Sequence, residues 1–137
     1  MDSASLERYG FGKWHRLIDI KKGVIKCPKN IETGAVYIIR LNRKFGRLKG
    51  ESDILYIGST GDLHDRIVEN FLRGRGGKTT KRIHDYLVHK GYLNVAEVSW
   101  VFSENYEELE DKLLKVYEED HHELPPWNRA RRRDVRG

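Results

Sequence analysis

Apolar positions recur along this chain in two rhythms. The runs GAVYIIRL over 34–41 and ILYIG over 54–58 place Val, Ile, Leu and Tyr on both alternating sets, which predicts two central strands covered on both faces. Residues 95–102 alternate instead, with Ala96, Val98, Trp100 and Phe102 on one side, and predict a third strand. Between the first two, 42–53 is basic and holds Gly46 and Gly50, so it reads as an extended hairpin loop. Elsewhere the spacing is helical. Leu63, Ile67 and Phe71 form a stripe over 62–73, with Asp62 as cap and Gly74 as stop. Ile83, Tyr86 and Leu87 predict a second helix, capped by Thr79 or Thr80 and closed at Gly91. Tyr106, Leu109, Leu113 and Val116 mark a third over about 105–121, ended before Pro125 and Pro126. The order β-β-α-α-β-α predicts an α/β fold, a small sandwich whose three-stranded, mostly antiparallel sheet is flanked by helices.

Three regions follow from this pattern: an extension over 1–31, a domain over 32–128 and a basic tail over 129–137. The extension carries Trp14, Leu17, Ile18, Ile20, Val24 and Ile25, which have no obvious place in the sheet. They are expected either to build a two-fold homodimer contact or to cap one face of their own sheet.

A chain of 137 residues can bury a core without disulfides or a structural metal as staples. Its one cysteine, Cys27, excludes an internal disulfide and a Cys-rich zinc site. No apolar run approaches the roughly 20 residues of a membrane span, and the first residues lack a secretory apolar core. An intracellular, cytoplasmic protein with no membrane partner is expected. The absence of Gln and the single Met resemble the composition of heat-adapted proteins.

Charge narrows the partners. The net charge is +5, but nine acids and two bases fall in 104–123, leaving 24 bases against 12 acids in the remainder. Concentrated positive charge points to a polyanion, and nucleic acid is the expected partner. The alternative is an ordinary mixed-charge solvated surface.

Candidate chemistry sits on the strands. Gly34-Ala35-Val36-Tyr37 followed by Leu55-Tyr56-Ile57-Gly58 resembles the two halves of the GIY-YIG nuclease motif. The likeness continues through Asp62-Leu63-His64-Asp65-Arg66-Ile67, a second helix over 78–91, Glu110-Asp111-Lys112-Leu113-Leu114, and Pro126-Trp127-Asn128. The resemblance spans about residues 32–128. It implies a metal-dependent endonuclease acting on DNA, with Tyr37, Tyr56, Arg66, Glu110 and Asn128 as catalytic residues. It also implies Glu110 as the metal ligand, Tyr37 as the general base, Tyr56 as the group positioning water and phosphate, and Asn128 as a residue shaping the site.

Phosphodiester hydrolysis needs an activated water, a cation for the developing charge, and help for the leaving oxygen. A tyrosine can relay protons if a nearby cation lowers its pKa. The arginine fork can hold two phosphate oxygens, which a lysine does less well. Glu110 falls about 40° beyond the edge of the apolar stripe of the third helix, where a carboxylate can enter a partly buried site. One carboxylate with several waters suits Mg²⁺, with Mn²⁺ as a substitute. Where many relatives of this type carry His or Tyr one turn after the arginine, this chain has Asn70, and Lys78 or Thr79 stands where some carry His or Lys before the second helix. His64 and His84 lie near these regions without filling either position.

DNA contacts are expected from Arg43, Lys44, Arg47 and Lys49 in the hairpin, and from Arg73, Arg75, Lys78, Lys81 and Arg82 around the start of the second helix. The arginines of the tail would add to them. Two other readings stay open: a DNA-binding module of the same fold without catalysis, and a recruitment domain that works through its acidic helix and has no DNA affinity.

Overall fold

The computed structural model describes residues 1–129, and the expected basic tail from 130 onward lies outside the described residues. Strands β1 (His15–Arg16), β2 (Ala35–Gly46), β3 (Glu51–Thr60) and β4 (Ala96–Phe102) form one antiparallel sheet in the order β1-β4-β2-β3. The expected three strands are therefore corrected to four. The added strand is two residues long, with His15 opposite Val98 and Arg16 opposite Glu97. So short a strand leaves no alternation to read.

The expected hairpin loop over 42–53 is also corrected. Phe45 pairs with Ser52 and Gly46 with Glu51, so the turn is only Arg47 to Gly50, closed by the Arg47 N–H donating to the Gly50 carbonyl at 2.9 Å. Register shifts beside Arg40 break the alternation and conceal the strand, because a bulge changes which side chains face the core.

Helices α1 (Leu17–Lys21), α2 (Lys78–His84) and α3 (Tyr106–His121) are joined by π-helical segments over Asp65–Leu72 and Asp85–His89. Asp62 opens the first of these, accepting the Asp65 N–H at 3.0 Å. Neither Thr79 nor Thr80 caps the second helix. It starts on Gly77, while Thr80 turns inward and donates to the Gly77 carbonyl at 2.9 Å.

Apolar residues on both faces of β2 and β3 require cover on both sides, and the fold supplies it as two cores. Tyr37, Ile39, Tyr56 and Val98 pack with Ile67, Phe71, Ile83 and Leu87. Val36, Ile38, Ile54 and Ile57 pack with Leu113, Leu114 and Tyr117 of α3. The N-terminal residues feed both: Leu17, Ile20 and Cys27 join the first core, and Leu6 and Phe11 the second. Trp14 lies under the Arg40 guanidinium, 4.2 Å from it. Most apolar side chains of 1–31 thus find partners in their own chain, while Val24 is exposed. Among the described residues, no helix is long and apolar enough to cross a membrane.

The buried face of α3 differs from the expected stripe. Glu110, Leu113, Leu114, Tyr117 and His121 are buried, whereas Tyr106, Leu109 and Val116 are only half-buried. At about 100° per residue, Glu110 lies in the middle of this arc rather than beyond its edge. Tyr117 and His121 carry polar ends that a hydrophobic count discards, which displaces the expected stripe.

Candidate active site

Sheet register brings the two tyrosines together. Tyr37 in β2 pairs with Gly58 in β3, and Tyr56 stands two residues before Gly58, so both side chains rise from one face. Their rings stack with centroids 6.0 Å apart and planes at 28°. Gly58 makes room for them: a Cβ there would lie 2.5 Å from the Tyr37 hydroxyl and 2.7 Å from the Tyr56 ring. Phe71 meets both rings edge-on, at 5.6 Å from Tyr37 and 6.2 Å from Tyr56. Sequence reasoning placed Phe71 in the core alone; its spacing from Ile67 carries no sign that it also fixes the tyrosines.

Arg66, one residue before the buried Ile67, projects from the edge of the same helix and donates Nη1–H to the Tyr37 hydroxyl at 3.3 Å. Its Nε is buried without a hydrogen-bond partner among the described residues. Glu110 arrives from the opposite layer, 7% exposed, and acts electrostatically on Tyr37, Tyr56 and Arg66. The fold therefore brings Tyr37, Tyr56 and Arg66 together, with Glu110 within electrostatic reach from α3.

Protonation follows from burial. Burial holds the Tyr37 phenol well above its ordinary pKa, with Tyr56 and Glu110 adding to the rise and Arg66 opposing it. Tyr56 is raised mainly by burial and then by Glu110, against the lowering effects of Arg66, a Tyr37 hydrogen bond and Arg82. For Arg66, burial works against the charge, but Tyr37, Tyr56 and Glu110 outweigh it and keep the guanidinium protonated. Arg66 does act to lower the Tyr37 pKa, but desolvation outweighs it. Both phenols are neutral near pH 7 and serve as hydrogen-bonding groups rather than ready-made phenolates.

Asn128 lies outside the phenol pair and braces the strand that carries Tyr56. Its Oδ1 accepts the Ile57 N–H at 3.0 Å and its Nδ2 donates to the Ile57 carbonyl at 2.9 Å. The Trp127 N–H donates to the Leu55 carbonyl at 2.9 Å. Residues 127 and 128 therefore cover the free edge of β3 on either side of Tyr56, which satisfies backbone groups an edge strand leaves open.

The basic residues fall into different settings. Lys44 pairs with Asp2 at 3.0 Å, Arg47 with Glu123 at 3.2 Å, and Arg73 and Arg75 both with Glu69 at 2.7 and 3.0 Å. Arg43, Lys49, Lys78 and Lys81 are exposed. Arg82 is half-buried and donates Nη2–H to the Trp127 carbonyl at 2.8 Å. His84 is bound to the Phe71 carbonyl at 2.8 Å through Nδ1, and Asn70 donates to the Arg75 carbonyl at 2.7 Å. His64 and Asn70 line a cleft of about 470 Å³ that includes none of Tyr37, Tyr56, Arg66 and Glu110.

Among the described residues no group of three or more His, Cys, Asp and Glu side chains could hold a metal ion. The donor set at the phenols is one carboxylate, Glu110. That set fits a hard cation such as Mg²⁺, which takes one or two carboxylates and completes its shell with water and phosphate oxygens. No protein-family profile, curated protein or solved structure matches this chain.

Proposed function

We propose that the protein is a divalent-metal-dependent endonuclease of the GIY-YIG type that hydrolyses DNA phosphodiester bonds, in a restriction or a structure-specific repair role. The observation that carries this reading is the meeting of Tyr37, Tyr56 and Arg66 on one face of the sheet, with the buried Glu110 within electrostatic reach. Tyrosines alone would be ordinary core residues; a buried carboxylate and a half-buried guanidinium acting on them give the pattern of perturbed ionisable groups that marks functional sites.

In this reading Arg66 receives the non-bridging oxygens of the scissile phosphate, and its bond to Tyr37 fixes the guanidinium plane. The neutral phenols of Tyr56 and Tyr37 orient the attacking water by hydrogen bonding. Gly58 and Phe71 hold the rings, and Asn128 holds the strand under Tyr56. Glu110 would hold the metal, which supplies charge neutralisation at the phosphate when bound. The exposed Lys78, Lys81, Arg43 and Lys49 add sequence-independent attraction to the DNA backbone.

Supercoiled plasmid tests the reading. Nicked or linear product should appear with Mg²⁺ or Mn²⁺ and vanish with chelator. Glu110→Gln and Arg66→Lys should each lower the single-turnover rate by about 10²–10³-fold while DNA affinity changes little. DNA binding without metal-dependent cleavage by the natural chain would favour the non-catalytic DNA-binding module instead.

A further inference from the structure

Like the Arg66 Nε, the Nη1 of Arg82 is buried without a hydrogen-bond partner among the described residues. Arg82 comes from α2, and its other terminal nitrogen, Nη2, is committed to the Trp127 carbonyl at 2.8 Å. Trp127 in turn is tied to Leu55, the residue before Tyr56, at 2.9 Å. The Arg82 guanidinium lies 5.7 Å from the Tyr86 ring centroid. Its positive charge reaches the Tyr56 phenol. A buried, unused N–H of a charged group asks for an acceptor, since most such groups in folded proteins have one.

We propose that Arg82 is a second phosphate-binding group of the site, whose Nη1–H and charge act with Arg66 on one phosphodiester. The identity of that phosphate as the scissile one rests on the nuclease reading. Arginine suits the task where lysine would not: one arm of the fork is anchored to Trp127 and the other stays free for a non-bridging oxygen. Attack on phosphorus concentrates negative charge on the oxygens around it, and two guanidinium groups at one phosphate stabilise that charge more than one does. Arg82 thereby separates from the exposed lysines of α2, which attract the backbone only generally. Its position also explains why the segment after Pro126 returns to β3: the same residues that cover the strand edge anchor the second arginine.

The test compares the full chain with Arg82→Gln, which keeps a donor for the Trp127 carbonyl and removes the charge, and with Arg82→Lys, which keeps the charge and removes the fork. Titration with inorganic phosphate, followed by NMR at the Tyr56 ring, should give at least tenfold weaker binding in Arg82→Gln, with the thermal midpoint nearly unchanged. Single-turnover plasmid cleavage with Mg²⁺ should fall about 10²-fold or more in both variants, while DNA affinity moves only a few-fold. In Arg82→Ala, added guanidinium ion should restore part of the rate, which a merely structural brace would not allow. Unchanged phosphate affinity in Arg82→Gln, or no phosphate response at Tyr56 in the natural chain, overturns the proposal. Absence of metal-dependent cleavage by the natural chain overturns the nuclease reading instead, and leaves the phosphate titration to decide on Arg82.

Discussion

Tyr37 and Gly58 face each other across β2 and β3, and the Tyr37 hydroxyl occupies the space where a side chain on residue 58 would begin. Tyr37 is therefore positioned by an absence. Any Cβ at 58 pushes on the hydroxyl that Arg66 holds and on the Tyr56 ring at once. Gly58→Ala should cost about 1–3 kcal/mol in urea unfolding, in the range of overpacked cores. It should also lower cleavage more than the lost stability explains. Wild-type cleavage in a folded Gly58→Ala protein would separate the tyrosine geometry from function.

Alkaline pH should unfold the protein through its buried phenols. Burial raises the pKa of Tyr37 and Tyr56 in the fold, while an unfolded tyrosine ionises near about pH 10. Above that value the unfolded chain holds fewer protons than the native one, so stability falls as pH rises. The contribution is fully present below about pH 10 and is lost above it. Tyrosinate absorbance and circular dichroism should show these two phenols ionising together with unfolding. Ionisation of both within a still-folded protein would contradict the burial.

Residues 1–31 should behave as part of the core rather than as a dispensable extension. Leu6 and Leu17 are fully buried on opposite faces of the sheet. Leu6→Ala and Leu17→Ala should each destabilise by about 2–5 kcal/mol. Denaturant midpoints check this, and losses below about 0.5 kcal/mol would show that the segment packs loosely.

Basic residues should not contribute equally to DNA binding. Arg73 and Arg75 already share Glu69, and a phosphate must compete with that carboxylate. Lys78 and Lys81 are exposed at the start of α2. Lys81→Gln should reduce the slope of log affinity against log salt by about one, if it meets one phosphate. Arg75→Gln should reduce it less. Fluorescence anisotropy with a labelled duplex across a salt series measures both, and equal slopes would put the two residues in the same environment.

Much of the frame was legible in the chain. Val, Ile and Tyr on both alternating sets mark 34–41 and 54–58 as strands covered on two faces, and two cores lie there. The Leu63, Ile67, Phe71 stripe and the Asp62 cap likewise follow from local spacing and hydrogen bonding. Tertiary structure alone decided the rest. Two residues pairing at an edge leave no pattern, so β1 could not be read. A bulge beside Arg40 hid the outer half of the hairpin. Tyr117 and His121 bury rings that carry polar atoms, and this turned α3 until Glu110 stood at the centre of its buried face. Sequence shows which residues can ionise, but burial sets how readily they do, and only the fold determined that Arg66 fails to offset the desolvation of Tyr37. Local periodicity records how each segment divides oil from water; which charge meets which phenol depends on segments tens of residues apart, and no local rhythm encodes that.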